Sequence, residues 1–279
     1  MQIIRNIIET QFFCLGLKNQ GKHIAFVPTM GFLHEGHLAL VKEAKKRAEL
    51  VVSSIFVNPT QFTPQEDLSR YPRDEEGDLK KLASVDCDLV FIPDADQMYP
   101  EGFQTKISLS EITQGLCGAS RPGHFDGVAT VVLKLFNITQ ANVAIFGEKD
   151  YQQLAVIRRL VKDLNLPIEI VGHPTERSPQ GLALSSRNSY LSEEEKQKAL
   201  VLFQTLSKMR KKCQEGEKKV STLLSLGRKM IEQVSEIKIE YLEIVDAVSL
   251  KPIQKVEREA RVLVAVRLGK TRLIDNGPL

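Results

Sequence analysis

The sequence predicts an α/β chain, a parallel sheet covered on both faces, followed by a smaller α+β domain. Short, continuously apolar runs recur at residues 24–27, 51–57, 89–92, 143–146 and 168–171. Stretches of helical periodicity separate them, beginning after His37, Asp74, Asp126 and Asp150. Strands buried on both faces lose the alternation of a half-exposed sheet, and helical crossovers make neighbouring strands parallel. Beyond Pro174 the order changes to helices first and strands afterwards, which marks the second domain. The expected division is 1–175 and 176–279, with a hinge around 172–178.

Within the second domain, Ser192 and Glu195 form a capping-box pattern ahead of a helix carrying Ala199, Leu202, Phe203, Leu206 and Met209. A second helix is expected over 220–234. Strand-like runs follow at 237–245 and 261–267, with a terminal one at 272–274.

Composition limits the function classes. The chain has 279 residues, 26% charged and 42% hydrophobic, with a net charge of +3. Those values describe an ordinary globular protein with length for a substantial core. The charge is too small to imply a nucleic-acid or membrane partner, and the basic run Lys208-Met209-Arg210-Lys211-Lys212 alternates nearby with Glu, as on a solvated helix face. Cys14, Cys87, Cys117 and Cys213 form no C-x-x-C pair, so neither a disulfide framework nor a zinc ribbon follows. No apolar run is long enough to cross a bilayer, and the N-terminus lacks a signal-peptide pattern. A cytoplasmic location is expected.

In such sheets ligands bind outside the carboxyl ends of the strands, where the unusual polar residues of this chain sit. The first strand runs into Pro28-Thr29-Met30-Gly31-Phe32-Leu33-His34-Glu35-Gly36-His37, a tight turn ending in H-x-G-H at a helix start. Helix starts present unpaired N–H groups and partial positive charge, which suit phosphate. By themselves the two imidazoles leave three readings open: phosphate donors, helix caps, or a metal pair lacking a nearby third ligand.

The other segments are each ambiguous alone. Asn58-Pro59-Thr60-Gln61 reads as an Asn-Pro turn, or as a turn that offers the Gln61 amide to a polar substrate. Gly147-Glu148-Lys149-Asp150 reads as a helix entry, or as a phosphate and ribose site. Leu184-Ser185-Ser186-Arg187 reads as a Ser-rich linker, or as a grip on polyphosphate, and the preceding Gly181 fits a mobile loop. Arg121-Pro122-Gly123-His124-Phe125 reads as a turn with Arg121 on the surface; the alternative, a nucleophilic triad, is set aside because no signature of an activated Ser or Cys is present. No Walker loop and no G-x-G-x-x-G follows a strand.

Taken in order, PTMGFLHEGH, FVNPTQF, RYPRD, RPGHFDGV, FGEKDYQQL and GLALSSRN resemble the pantothenate synthetase (pantoate–β-alanine ligase) family. The resemblance implies a Rossmann-like nucleotidylyltransferase domain and a C-terminal domain that closes over the active site. It implies ATP-dependent joining of pantoate to β-alanine through pantoyl adenylate, with release of AMP and pyrophosphate, by a homodimer. By motif matching, Met30, Gly31, Phe32, Leu33, His34, Glu35, Gly36 and His37 line the ATP site, with His37 as proton donor. Gly147, Glu148, Lys149, Asp150, Glu176, Leu184, Ser185, Ser186 and Arg187 complete it. Gln61 and Gln153 match the glutamines that hold pantoate, and Gln61 also serves β-alanine. Asp78 matches a carboxylate near Mg²⁺, reached through water.

Two positions depart from the family pattern. Glu176 stands where an aliphatic residue is usual, and Asp74 replaces the Thr usual after Tyr-Pro-Arg. The rival classes are a nucleotidyl transferase acting on a phosphate-bearing acceptor and a nucleotide- or RNA-binding regulator. The neutral glutamines argue against the first, the small charge against RNA.

Overall fold

The computed structural model describes residues 1–64 and 66–279. Its contacts divide the chain into two compact units. The first comprises Met1–Ser110, Arg121–Glu148 and Val156–Pro174; the second comprises Glu111–Ser120, Lys149–Ala155 and Thr175–Leu279.

In the first unit the chain runs β1 (Gln2–Ile4), α1 (Ile7–Asn19), β2 (Ile24–Thr29), α2 (Glu35–Lys45), β3 (Leu50–Ile55), α3 (Glu75–Ala83), β4 (Leu89–Phe91) and α4 (Ala95–Met98). After α5 (Leu116–Ser120), which groups with the second unit, come α6 (His124–Thr139) and β5 (Val143–Gly147). The helix α7 (Tyr151–Asp163) has its first residues in the second unit, and β6 (Glu169–His173) completes the sheet.

The six strands are all parallel, in the order β1-β4-β3-β2-β5-β6. Ile24, Ala25, Phe26 and Val27 of β2 are wholly buried, as the unbroken apolar run requires. On one face Val27, Val51, Val90 and Ile145 pack with Val41 and Ala44 of α2 and Leu82 of α3. Elsewhere in the unit Phe136 of α6 meets Phe26 and Phe146 edge-on, with ring centroids 6.4 Å apart in each pair. From β2 the chain winds outward through β3 and β4, then returns to place β5 on the other side. The order therefore reverses between β2 and β5, and the crevice beyond their carboxyl ends is where this architecture takes ligands.

The five strands expected in this sheet all form, with ends shifted by a residue or two. The sequence reading had no element before residue 23, yet β1 and α1 lie there. β1 is a three-residue edge strand with only Ile4 buried, too short for a periodic signal. The helix expected after Asp126 starts earlier, at His124, because Gly123 takes a left-handed φ of 81° and turns the chain into it.

The second unit holds α8 (Glu193–Gln214), α9 (Val220–Ile231) and an antiparallel sheet of β7 (Ile237–Asp246), β8 (Ala260–Leu268) and β9 (Thr271–Pro278). Leu202, Leu206 and Met209 of α8 and Leu223 of α9 pack on Leu242, Val262, Val264 and Val266. Ser192 and Glu195 do form the capping box: Glu195 N–H donates to Ser192 Oγ at 3.2 Å and Ser192 N–H to Glu195 Oε2 at 2.8 Å.

Candidate active site

The turn leaving β2 is built around one buried carboxylate. Gly31 and Phe32 have positive φ, 80° and 50°. A Cβ at Gly31 would lie 3.0 Å from both Asp78 Oδ2 and Ile55 Cγ2, so glycine is required there for space as well as conformation. Phe32 N–H donates to Asp78 Oδ2 at 2.7 Å and Leu33 N–H to Asp78 Oδ1 at 2.6 Å. Thr29 Oγ1 accepts from Gly31 N–H at 3.2 Å and donates to the Ser54 carbonyl at 2.7 Å.

This turn delivers His34 to the N-cap of α2. His34 Nδ1 accepts from Gly36 N–H at 3.1 Å, and His37 Nδ1 accepts from His34 N–H at 3.3 Å. Both Nδ1 atoms therefore present lone pairs, and each neutral ring carries its proton on Nε2. The rings lie 4.1 Å apart, tilted by 38°. The capping and phosphate readings are thus compatible: one edge of each imidazole closes the helix, and the other carries the N–H. Among the described residues no group of three or more His, Cys, Asp or Glu could hold a metal ion.

Asp78, expected near Mg²⁺, is 1% exposed, and both oxygens already accept from the backbone of the turn, so its visible task is to hold that turn. Burial pushes its carboxyl up from the ordinary value, against the pull of the two N–H groups and Lys81. Asp74, which departs from the family pattern, is the N-cap of α3, and its Oδ1 accepts from Gly77 N–H at 3.0 Å.

At the end of β3 a chain of hydrogen bonds sets the Gln61 amide. Asn58 Oδ1 accepts from Thr60 N–H at 3.3 Å, Thr60 Oγ1 at 2.9 Å and Tyr99 OH at 2.7 Å. Its Nδ2 then donates to the Gly127 carbonyl at 3.2 Å and to Gln61 Oε1 at 3.1 Å. Backbone groups at both ends decide which atom is N and which is O. Gln61 Nε2 is left donating to Met30 Sδ at 3.0 Å, a weak acceptor that a substrate oxygen would readily replace.

Arg121, expected on the surface, is instead held between two elements. Its Nε and Nη2 meet Glu66 Oε1 and Oε2 at 2.5 and 3.0 Å, and Nη2 also donates to the Gln61 carbonyl at 3.3 Å. Despite burial, Arg121 and the Thr63 N–H pull the Glu66 carboxyl below its ordinary value of 4.5. A lowered carboxylate stabilises the fold above the unfolded value, and that contribution disappears as pH falls through the folded one. The melting temperature of Glu66→Gln should therefore lie below wild type by a constant margin above about pH 5.5, where an unperturbed carboxyl is almost fully ionised. The margin should shrink below pH 4.5. A pH-independent margin in paired melting curves would exclude this ion pair as its source.

Of the other expected nucleotide residues, Gly147 and Glu148 belong to the first unit, and Lys149, Asp150, Glu176 and Leu184 to Arg187 belong to the second. Lys149 Nζ lies 3.8 Å from Asp150 Oδ2, and the Lys149 carbonyl accepts from Asn276 Nδ2 at 2.9 Å. Asp275, 3% exposed on its side chain, takes Arg177 in a bidentate pair at 2.6 and 2.7 Å. The exposed Glu176 uses its carbonyl to accept from Leu184 N–H at 2.9 Å, closing a small loop. Gly181 (φ 106°) serves close packing in that loop, because a Cβ there would lie 2.1 Å from the Phe203 ring. Ser185 Oγ caps a 3-10 turn by accepting from Arg187 N–H at 3.3 Å, and Ser186 is buried beside it.

The two adjacent glutamines of α7 separate clearly. Gln152, 4% exposed, accepts from Cys117 N–H and donates to the Ile112 and Gly115 carbonyls, so its amide is spent on structure. Gln153 is half-buried beside it. All four cysteines are buried thiols outside any disulfide, and burial pushes those of Cys14 and Cys87 up to about 12, far from thiolate chemistry. Asn58, Glu66, Arg121 and His124 are site-supporting residues that sequence reasoning read only as turns or passed over. The signal for three of them was present in the quoted FVNPTQF and RPGHF segments.

The family model described as pantoate-beta-alanine ligase matches residues 2–278. The chain belongs to the pantoate–β-alanine ligase family. Within that ligase family, a pantothenate synthetase from Trichlorobacter lovleyi is 54% identical over 276 residues, covering 99% of this chain and 98% of that protein. One from Pelobacter propionicus is 53% identical over 276 residues, covering 99% of this chain and 97% of that protein. A pantothenate synthetase crystal structure from Thermus thermophilus superposes with a TM-score of 0.94 at 47% identity, covering 99% of each chain. A ligase from Francisella tularensis, complexed with β-γ ATP and β-alanine, matches at a TM-score of 0.83 and 40% identity, covering 99% of this chain and 97% of that one.

Proposed function

We propose that this chain carries out its family's reaction, the ATP-dependent condensation of (R)-pantoate with β-alanine, in two steps. A carboxylate is a poor acyl donor, so it must first be given a leaving group. A pantoate carboxylate oxygen attacks the α-phosphorus of ATP, the bond to pyrophosphate breaks, and pantoyl adenylate forms. The β-alanine amine then attacks the acyl carbon, loses a proton, and displaces AMP. No group on the protein is acylated. Catalysis is positioning together with stabilisation of charge developing on phosphate.

The observation that carries this reading is the pair of imidazoles at the start of α2. Their Nδ1 atoms are committed to the backbone, so Nε2–H is the donating edge at the crevice where the strand order reverses. We assign His34 and His37 to the phosphates, with His37 as proton donor and Lys149 as a further cation. The turn 30–37, residues 147–150, Glu176 through its backbone, and Leu184, Ser185, Ser186 and Arg187 are assigned to ATP. On the same reading the loop Leu184 to Arg187 closes over the triphosphate. Gln61 and Gln153 are assigned to pantoate, and Gln61 also to β-alanine. Mg²⁺ is assigned to the triphosphate, whose oxygens and waters suffice to hold it, rather than to Asp78.

We also propose a cytoplasmic homodimer. Four cysteines outside any disulfide suit a reducing compartment, and Ile8 and Phe12, one turn apart on α1, are 63% and 72% exposed, an apolar face suited to a second copy. The deciding experiment for function is a turnover assay with AMP detection. AMP should accumulate only when ATP, pantoate and β-alanine are all present. Inactivity with all three, together with nucleotidyl transfer to a phosphate-bearing acceptor, would assign the chain to a different reaction.

A further inference from the structure

The Arg121-Pro122-Gly123-His124-Phe125 segment has no part in the roles assigned above, yet two of its side chains converge on Gln61. The Gln61 carbonyl oxygen lies 2.7 Å from His124 Nδ1 and 3.3 Å from Arg121 Nη2. Arg121 Nη1 lies 2.9 Å from His124 Nε2. A carbonyl only accepts, so Nδ1 carries a proton. A guanidinium only donates, so Nε2 presents its lone pair. One neutral tautomer of His124 satisfies both contacts, and the imidazolium satisfies only the first.

The rest of the network fixes those partners in turn. Glu66 meets Arg121 with both oxygens, and its Oε2 also accepts from Thr63 N–H at 2.7 Å. Asn58 holds the Gln61 side chain from a different direction. Beneath the segment, a Cβ on Gly127 would lie 2.3 Å from the Thr60 carbonyl oxygen, so α6 approaches as closely as its backbone allows. The main chain and the side chain of Gln61 are therefore pinned by separate sets of partners. A group that orients substrate gains from such double fixing, because small misplacements of reacting atoms cost large factors in rate.

We infer that Arg121 and His124 are positioning residues for Gln61. They act through its backbone carbonyl, with His124 as the Nδ1–H tautomer, and govern the use of pantoate and β-alanine rather than of ATP. The inference rests on the reading of Gln61 as the residue that holds those two substrates.

The test compares wild type with His124→Leu, His124→Asn and Gln61→Ala, measuring KM for all three substrates, kcat and melting temperature. His124→Leu should raise KM for pantoate and β-alanine by about tenfold, the loss of roughly one hydrogen bond, with KM for ATP changed less than about twofold. His124→Asn, which restores an N–H near the Nδ1 position, should recover most of that loss. In the wild-type protein, ¹⁵N shifts of the His124 ring should report a protonated Nδ1 and an unprotonated Nε2, a readout that needs no variant to fold. Unchanged KM values in His124→Leu, an equal rise for all three substrates, or an Nε2-protonated ring would overturn the inference. Gln61→Ala separates the two levels of the argument. If it leaves KM for pantoate and β-alanine unchanged, the assignment of Gln61 fails and the inference with it. If it raises them while His124→Leu does not, the positioning role alone fails.

Discussion

Replacing His37 with alanine should slow adenylate formation by about 10²–10³-fold, the usual effect of deleting one donor to developing charge in a transition state. Pantoate affinity should change much less. The reason lies in how the ring is held: His37 Nδ1 accepts from His34 N–H, which makes Nε2 the edge that donates. Negative charge grows on the departing pyrophosphate during the first step, so a hydrogen bond there is worth more in the transition state than in the bound substrate. Single-turnover pyrophosphate release, set beside pantoate binding by calorimetry, reads the two effects separately. Equal losses in both would remove His37 from the chemical step. The variant also leaves the His34 N–H without its cap, and a stability loss of about 1 kcal/mol is expected alongside.

Asp78→Asn should damage the protein without touching any substrate. Both carboxylate oxygens accept from consecutive backbone N–H groups of the turn. An amide offers one oxygen and one NH₂, so one of those N–H groups would face a donor inside a site that excludes water. The expected cost is about 1–3 kcal/mol for an unsatisfied buried group. Burial, which already disfavours the charged carboxylate, offsets part of it. Because this turn delivers His34 to the N-cap of α2, kcat should fall together with melting temperature, whatever the Mg²⁺ concentration. Activity restored by added Mg²⁺ would instead support the metal role that the family resemblance implies for Asp78.

The sheet was legible because its strands are short, apolar on both faces and spaced by helices, which leaves little freedom in how they pair. The H-x-G-H was legible as a helix start for the same local reason. Arg121 was not. Its partner Glu66 is 55 residues away, and nothing in the immediate surroundings of an arginine in a Pro-Gly turn announces an ion pair at that separation. The backbone role of Asp78 was hidden for a related reason. A carboxylate near a phosphate site suggests a metal, and only the fold brings it within 2.7 Å of two main-chain N–H groups. Gly181 was read only as fitting a mobile loop, and its close packing against Phe203 is visible only in the folded chain. The segment 111–120 gave no periodic signal, and its place beside Gln152 depends on hydrogen bonds to a residue 35 to 40 positions later.

By itself the sequence determined the architecture and the chemistry-bearing residue types, since burial periodicity and turn chemistry are local properties of the chain. The ordered motifs carried the family as well. Only the tertiary structure decided which atom of each polar group is committed to the protein. Nδ1 of His34 and His37, both oxygens of Asp78 and the carbonyl of Gln61 are all engaged in this way. Hydrogen-bond partners of a buried group are set by what the fold brings within about 3 Å, and that distance is not encoded in sequence spacing.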